Sequence, residues 1–153
     1  MFSKLVTSLI CMVMFLSTSC VAKPVKKPVA KPAQSQAAPV AGEIAWVNDL
    51  AQGLGLAKQS GKPVMTDFYA GWCGWCKKLD AEVYTNKDVI ALSQKFVCVK
   101  VDSDKNQEDA QKYGVRGLPT IVFMNSEGKA SNTVVGYRDS VEFLKEMNKA
   151  LAK

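Results

Sequence analysis

Apolar residues change their spacing along this chain, and each change marks a segment. Leu5 to Leu16 is an almost continuous apolar stretch behind the lone charge of Lys4. That length suits the core of an export signal and is short for a membrane span, which takes about 20 residues. Residues 23–42 are built mostly from Lys, Pro, Ala, Val and Gln, with Pro24, Pro28, Pro32 and Pro39. Such a stretch favours extended polyproline geometry and has little to bury. From Glu43 onward the apolar positions become periodic, as a folded domain requires.

Within 43–153 the pattern predicts alternating helices and strands. Trp46, Leu50, Leu54 and Ala57 keep helical spacing, although Gly53 and Gly55 weaken that helix. Gly61-Lys62-Pro63 breaks it, and Val64 to Tyr69 reads as a buried strand. A helix runs from Cys73 to about Tyr84, and Asn86 caps a short one through Ser93. Phe96 to Val101 is a valine-rich strand, and Gln107 to Tyr113 a helix stopped by Gly114. Thr120 to Met124 and Ala130 to Gly136 form a hairpin across Asn125-Ser126-Glu127-Gly128. Asp139-Ser140-Val141-Glu142 resembles a capping box, opening a last helix with Phe143, Leu144, Met147 and Leu151 inward. The order αβααβαββα implies an α/β domain, a central mixed sheet with helices on both faces and an N-terminal helical extension.

Composition then removes several function classes. The chain has 153 residues, enough for one domain, and is 48% hydrophobic. It contains no histidine, which excludes Ser/His and Cys/His catalysis within the chain. The net charge of +6 suggests nucleic acid until its distribution is considered. Lys4, Lys23, Lys26, Lys27 and Lys31 precede residue 43, leaving 15 basic against 14 acidic residues beyond it. The folded part is nearly neutral, so a phosphate-binding face is not expected.

The leader fits residues 1–22 as a signal peptide, with 23–42 as a linker holding the domain 43–153 away from a membrane or wall. Cys20-Val21-Ala22 presents small residues to an ordinary signal peptidase. Thr18-Ser19-Cys20 alternatively resembles a lipoprotein box, which would acylate Cys20, although Ser17 stands where that pattern has leucine. An uncleaved anchor is the remaining option. Export to the periplasm is the expectation.

The candidate chemistry lies in Asp67-Phe68-Tyr69-Ala70-Gly71-Trp72-Cys73-Gly74-Trp75-Cys76-Lys77-Lys78. Residues three apart on a helix are about 5–6 Å apart at Cβ, and a disulfide needs a Cα separation of roughly 4.4–6.8 Å. Cys73 and Cys76 can therefore close with little backbone movement. Cys73 at a helix N-terminus faces unsatisfied N–H groups that favour a thiolate, the attacking species. Cys76, a turn inside and expected to be more buried, would resolve the mixed disulfide. A static structural bridge is the alternative, as is a zinc site made with Cys98. Asp67 is a carboxylate in an apolar strand, where burial raises its pKa. Trp72 and Trp75 offer apolar surface to a partner. Cys98 reads as a buried, inert thiol.

That segment, together with Tyr113-Gly114-Val115-Arg116-Gly117-Leu118-Pro119-Thr120, resembles the two signatures of the thioredoxin superfamily. Gly61-Lys62-Pro63-Val64 and Lys78-Leu79-Asp80-Ala81-Glu82-Val83-Tyr84-Thr85-Asn86 narrow the likeness. They are similar to the C-terminal domain of the membrane thiol:disulfide interchange protein and to small exported thioredoxin-like proteins. The resemblance implies a thioredoxin fold over residues 43–153 with Pro119 as a cis-proline. It implies that Leu118 lends its backbone to substrate and that Asp67 helps deprotonate Cys76. The family's partner lysine matches Cys98 here, leaving Lys100 as a candidate substitute, and Trp75 replaces the usual proline. The implied activity is thiol:disulfide exchange on protein thiols and disulfides by a monomer. It needs no metal or organic cofactor and draws electrons from a membrane electron-transfer protein. The competing expectations are the oxidising or isomerising direction, and a tethered binding module with incidental cysteines.

Overall fold

The computed structural model describes residues 42–152. The expected signal peptide, all but Gly42 of the expected linker, Cys11, Cys20 and Lys153 lie outside the described residues. A five-stranded sheet forms the centre: β1 (Trp46–Val47), β2 (Val64–Tyr69), β3 (Val97–Asp102), β4 (Thr120–Met124) and β5 (Ala130–Val135). Its spatial order is β1-β3-β2-β4-β5. The β1–β3 and β3–β2 pairs are parallel, while β2–β4 and β4–β5 are antiparallel.

Five helices cover this sheet: α1 (Leu50–Ser60), α2 (Gly74–Glu82), α3 (Lys87–Ser93), α4 (Gln107–Lys112) and α5 (Ser140–Leu151). Alternation along the strands sends side chains to two separate cores. Val64, Phe68, Val99, Val101, Val122 and Met124 pack with Leu50 and Ala57 of α1 and Ala110 of α4. Met65, Cys98, Ile121 and Phe123 face the other way, against Leu79 of α2, Val89 of α3 and Phe143 and Met147 of α5. Asp67 has the parity of Met65, so its carboxylate enters the side covered by α2.

Local chemistry sets the helix ends. Asn86 Oδ1 accepts from the N–H groups of Asp88 and Val89 at 2.9 and 3.3 Å, as the sequence suggested. Asp139 Oδ1 accepts from Glu142 N at 2.9 Å and starts α5. Gly114 closes α4 at a φ of 67°. On the inner side of α5, Phe143, Met147 and Ala150 are buried, whereas Leu144 and Leu151 are partly so.

The N-terminal element differs from the periodic expectation. Trp46 is not on a helix. It lies in β1, opposite Cys98 of β3, and its ring meets Tyr84 edge-on at 5.0 Å. The helix begins only after Asp49, whose Oδ1 accepts from Gln52 N at 2.7 Å. An unpaired β3 edge and an aromatic neighbour outweigh a spacing that suits a helix. Gly53, which costs helix propensity, has a packing reason. A Cβ there would sit 2.3 Å from Val99 Cγ2, so only glycine lets α1 lie this close to β3.

Candidate active site

The backbone of β2 runs through Tyr69 and Ala70 into a tight turn that delivers Cys73. Cys73 N donates to Ala70 O at 3.0 Å. Cys73 is then the N-cap of α2 rather than its first residue, with Gly74 opening the helix. Its Sγ takes the place of a capping oxygen, accepting from Cys76 N at 3.1 Å. The sulfur is bonded to Cys76 Sγ, with the two Cα atoms 5.3 Å apart. Both cysteines are buried, at 4% and 2% exposure, so the expected contrast between an open and a covered sulfur is nearly absent in the oxidised pair. Tyr69, Ala70 and Leu118 pack around them. The Leu118–Pro119 peptide is cis, and Pro119 O accepts from Gly136 N at 2.8 Å.

A second group of residues lies on the α2 side of the sheet. Asp67 is 1% exposed and stands opposite Lys100 in the β2–β3 register. Lys100 Nζ is 3.9 Å from Asp67 Oδ2 and bonded to Asp80, which follows Cys76 by four residues on α2. The ammonium is also 5.0 to 5.7 Å from the ring centres of Tyr69, Trp46 and Tyr84. The Tyr84 hydroxyl faces the Asp67 carboxyl without reaching hydrogen-bond geometry. Burial pushes Asp67 up from 3.8 to about 7, and the attraction of Lys100 offsets only part of that rise. Tyr84 is driven well above its ordinary value, by burial first and the Asp67 charge second. On the same face, burial pushes the Cys98 thiol to about 12, so it stays protonated and unreactive near neutrality.

The tryptophans lie on the outside. Trp72 is 71% exposed and Trp75 58% exposed. Trp72 Nε1 donates to Asp104 Oδ2 at 3.0 Å, on the turn after β3. Trp75 rests against Tyr137, with ring centres 5.7 Å apart. The structure thus groups Cys73, Cys76 and Leu118 in one cluster, places Pro119 beside it, and leaves Asp67 in the layer with Lys100. Asp80, Tyr84, Asp104 and Tyr137 were not singled out from sequence. Asp80 carries a usable signal, being four residues from Cys76 and on its face. Tyr137 carries none, because only the return of β5 brings it to α2. Among the described residues, no cluster of three His, Cys, Asp or Glu side chains could hold a metal ion.

Comparison with known proteins gives a consistent picture. The thioredoxin family profile matches residues 54–149. The chain is 38% identical over 109 residues to the thiol:disulfide interchange protein DsbD of Vibrio vulnificus, covering 67% of this chain and 18% of that protein. It is 35% identical over 96 residues to the chloroplast thioredoxin-like protein HCF164 of Arabidopsis thaliana, covering 63% of this chain and 36% of that one. The chain therefore spans a minor part of these relatives. Among solved structures, a thioredoxin from Thermus thermophilus superposes with a TM-score of 0.63 at 30% identity, covering 69% of this chain and 85% of its own. With the family's sequence signature, its sheet and an oxidised cysteine pair at the tip of α2, this chain belongs to the thioredoxin family.

Proposed function

We propose that this chain is a thiol:disulfide oxidoreductase working through Cys73 and Cys76. One observation carries the reading: Cys73 Sγ caps α2, accepts the Cys76 N–H, and is bonded to Cys76. In the reduced protein that N–H and the helix dipole favour a thiolate on Cys73. The thiolate attacks one sulfur of a substrate disulfide. A Cys73–substrate S–S bond forms, and the substrate's other sulfur leaves as a thiolate and takes a proton. Cys76 then loses its proton to ionised Asp67 and attacks Cys73 Sγ. The Cys73–Cys76 bond reforms and the second substrate thiol is released. Two electrons and two protons pass from the protein dithiol to the substrate. Trp72, Trp75, Leu118 and Pro119 border the groove in which the substrate segment lies.

The reducing direction is favoured by likeness to a thiol:disulfide interchange protein. In that direction an external dithiol, taken to be a membrane electron-transfer protein, restores the reduced pair. Residues 1–22 act as an export signal and 23–42 as a tether, placing domain 43–153 in the periplasm, either free or anchored through Cys20. The test is insulin reduction by dithiothreitol with wild type and Cys73→Ser. The variant is expected to fall to the uncatalysed rate. Equal rates would leave the binding-module reading in its place.

A further inference from the structure

Trp75 is held by contacts that sulfur exchange does not need. Tyr137 lies against it with the rings tilted by 39°, and Lys78 Nζ lies 5.4 Å from the Trp75 ring centre and 4.9 Å from that of Tyr137. Tyr137 Oη donates to Glu82 Oε2 at 2.7 Å, and that bond holds the Tyr137 hydroxyl above its ordinary pKa. The same carboxylate oxygen is 3.9 Å from Lys78 Nζ. Ser140 Oγ donates to Glu82 O at 3.2 Å, closing a second tie between α2 and the segment that starts α5. The residue before Tyr137 is Gly136, whose N–H is on Pro119 O. Trp75, Tyr137 and the cis-proline are consequently parts of one connected rim.

We propose that Tyr137 is a positioning residue that fixes the Trp75 indole as one wall of the substrate groove. The groove so built selects disulfide-bearing segments with an apolar side chain beside the reactive cysteine. This rests on the thiol-exchange reading. A mixed disulfide brings the partner's sulfur to about 2.05 Å from Cys73 Sγ. The partner's neighbouring residues, about 3.8 Å apart along the chain, must then settle on what flanks Cys73. Those flanks are Trp72 and Trp75, the most exposed large rings of the described residues. Scattered single hydrophobics need no explanation, but these two border the reacting sulfur and each is tied to a separate loop. A loose indole would lose rotamer freedom at every encounter, whereas a bracketed one has lost it already. The bracket also sets the polarity of the rim. Glu82 neutralises Lys78, so this wall offers aromatic surface without an uncompensated positive charge for an acidic partner.

The test uses full-chain protein with excess dithiothreitol and three disulfide-linked peptide dimers. The peptides differ only in the residue beside cysteine: Leu, Ser or Glu. Wild type is expected to reduce the Leu dimer with roughly tenfold higher kcat/KM than the Ser or Glu dimers. Tyr137→Ala is expected to shrink that ratio to about twofold, through KM rather than kcat. Tyr137→Phe, which keeps the ring and drops the Glu82 bond, should fall between wild type and Tyr137→Ala. Should Tyr137→Ala fail to fold, Glu82→Ala carries the test, since it frees both Lys78 and Tyr137 and should lower the ratio at least about twofold. Measurable turnover with equal wild-type efficiencies, a preference for Glu, or a ratio indifferent to both bracket variants overturns the inference. No turnover of any dimer overturns the exchange reading instead.

Discussion

The two sides of α2 obey different physics. The turn before it and its own first turn carry Trp72 and Trp75 into solvent, each fixed by a contact to a remote loop. Its underside closes over Asp67, Lys100 and Tyr84, where the neighbours are aromatic rings and water is scarce. On the outer side, contacts are worth little each, and their effect is to order surface that a partner will cover. On the inner side, desolvation dominates: Lys100 pulls the Asp67 carboxyl down, yet burial still leaves it near 7. Under the proposed function, recognition falls on the outer side of this nine-residue helix and proton handling beneath it, with the disulfide at the helix start between them.

The largest effect is expected at the cysteine pair itself. Cys76→Ser removes the resolving thiol, so a Cys73–substrate mixed disulfide should accumulate on non-reducing gels and catalytic turnover should fall by at least about a thousandfold. Absence of any Cys73-dependent adduct would detach both faces from exchange chemistry.

Asp67→Asn probes the inner face alone. A carboxyl whose folded pKa is raised contributes stability that is full below the unfolded value near 3.8 and is lost as pH climbs through about 7. The asparagine variant should therefore melt higher than wild type at pH 8. The gap, on the order of 4 kcal/mol at most, should close towards pH 4. Its rate of disulfide reduction should lose the rise through pH 7 that ionised Asp67 supplies. A melting difference independent of pH would mean that Asp67 titrates alike in the folded and unfolded chain, so that burial does not raise its pKa.

Lys100→Met sharpens the same face with a smaller effect. Without the ammonium, Asp67 should titrate above 7, which carboxyl carbon-13 NMR would detect. The loss of stability, about 1–3 kcal/mol, should be larger at pH 8 than at pH 5. An unmoved titration would show the pair to be electrostatically idle. The smallest effect belongs outside. Asp104→Ala releases the Trp72 indole and should raise KM for a peptide disulfide about two- to threefold without altering the pH profile. A changed pH profile would mean that the two faces are not separate.

Much of the inner face could be read in advance. Asp67 announced itself as a charge within an apolar strand, and Lys100 as a residue two positions past the expected lysine. That Asp67 and Lys100 stand opposite each other was not available, because parallel register is fixed by packing of the whole sheet. Trp46 shows the same limit at the N-terminus. Its spacing with Leu50, Leu54 and Ala57 fits a helix, but the free edge of β3 claimed it for a strand. Tyr137 marks the far limit, being 62 positions from the ring it supports.

The cis bond at Leu118–Pro119 was implied by the family resemblance alone. By itself, the sequence determined the cysteine pair, the helix that follows it and the caps at Asn86 and Asp139. These are local: a residue's own side chain reaches the backbone groups it governs. Only the tertiary structure decided that Lys100 serves two carboxylates and that Trp75 rests on Tyr137. Those outcomes depend on which remote segments the sheet order brings together and how much water they exclude, and neither quantity is stored in any short stretch of chain.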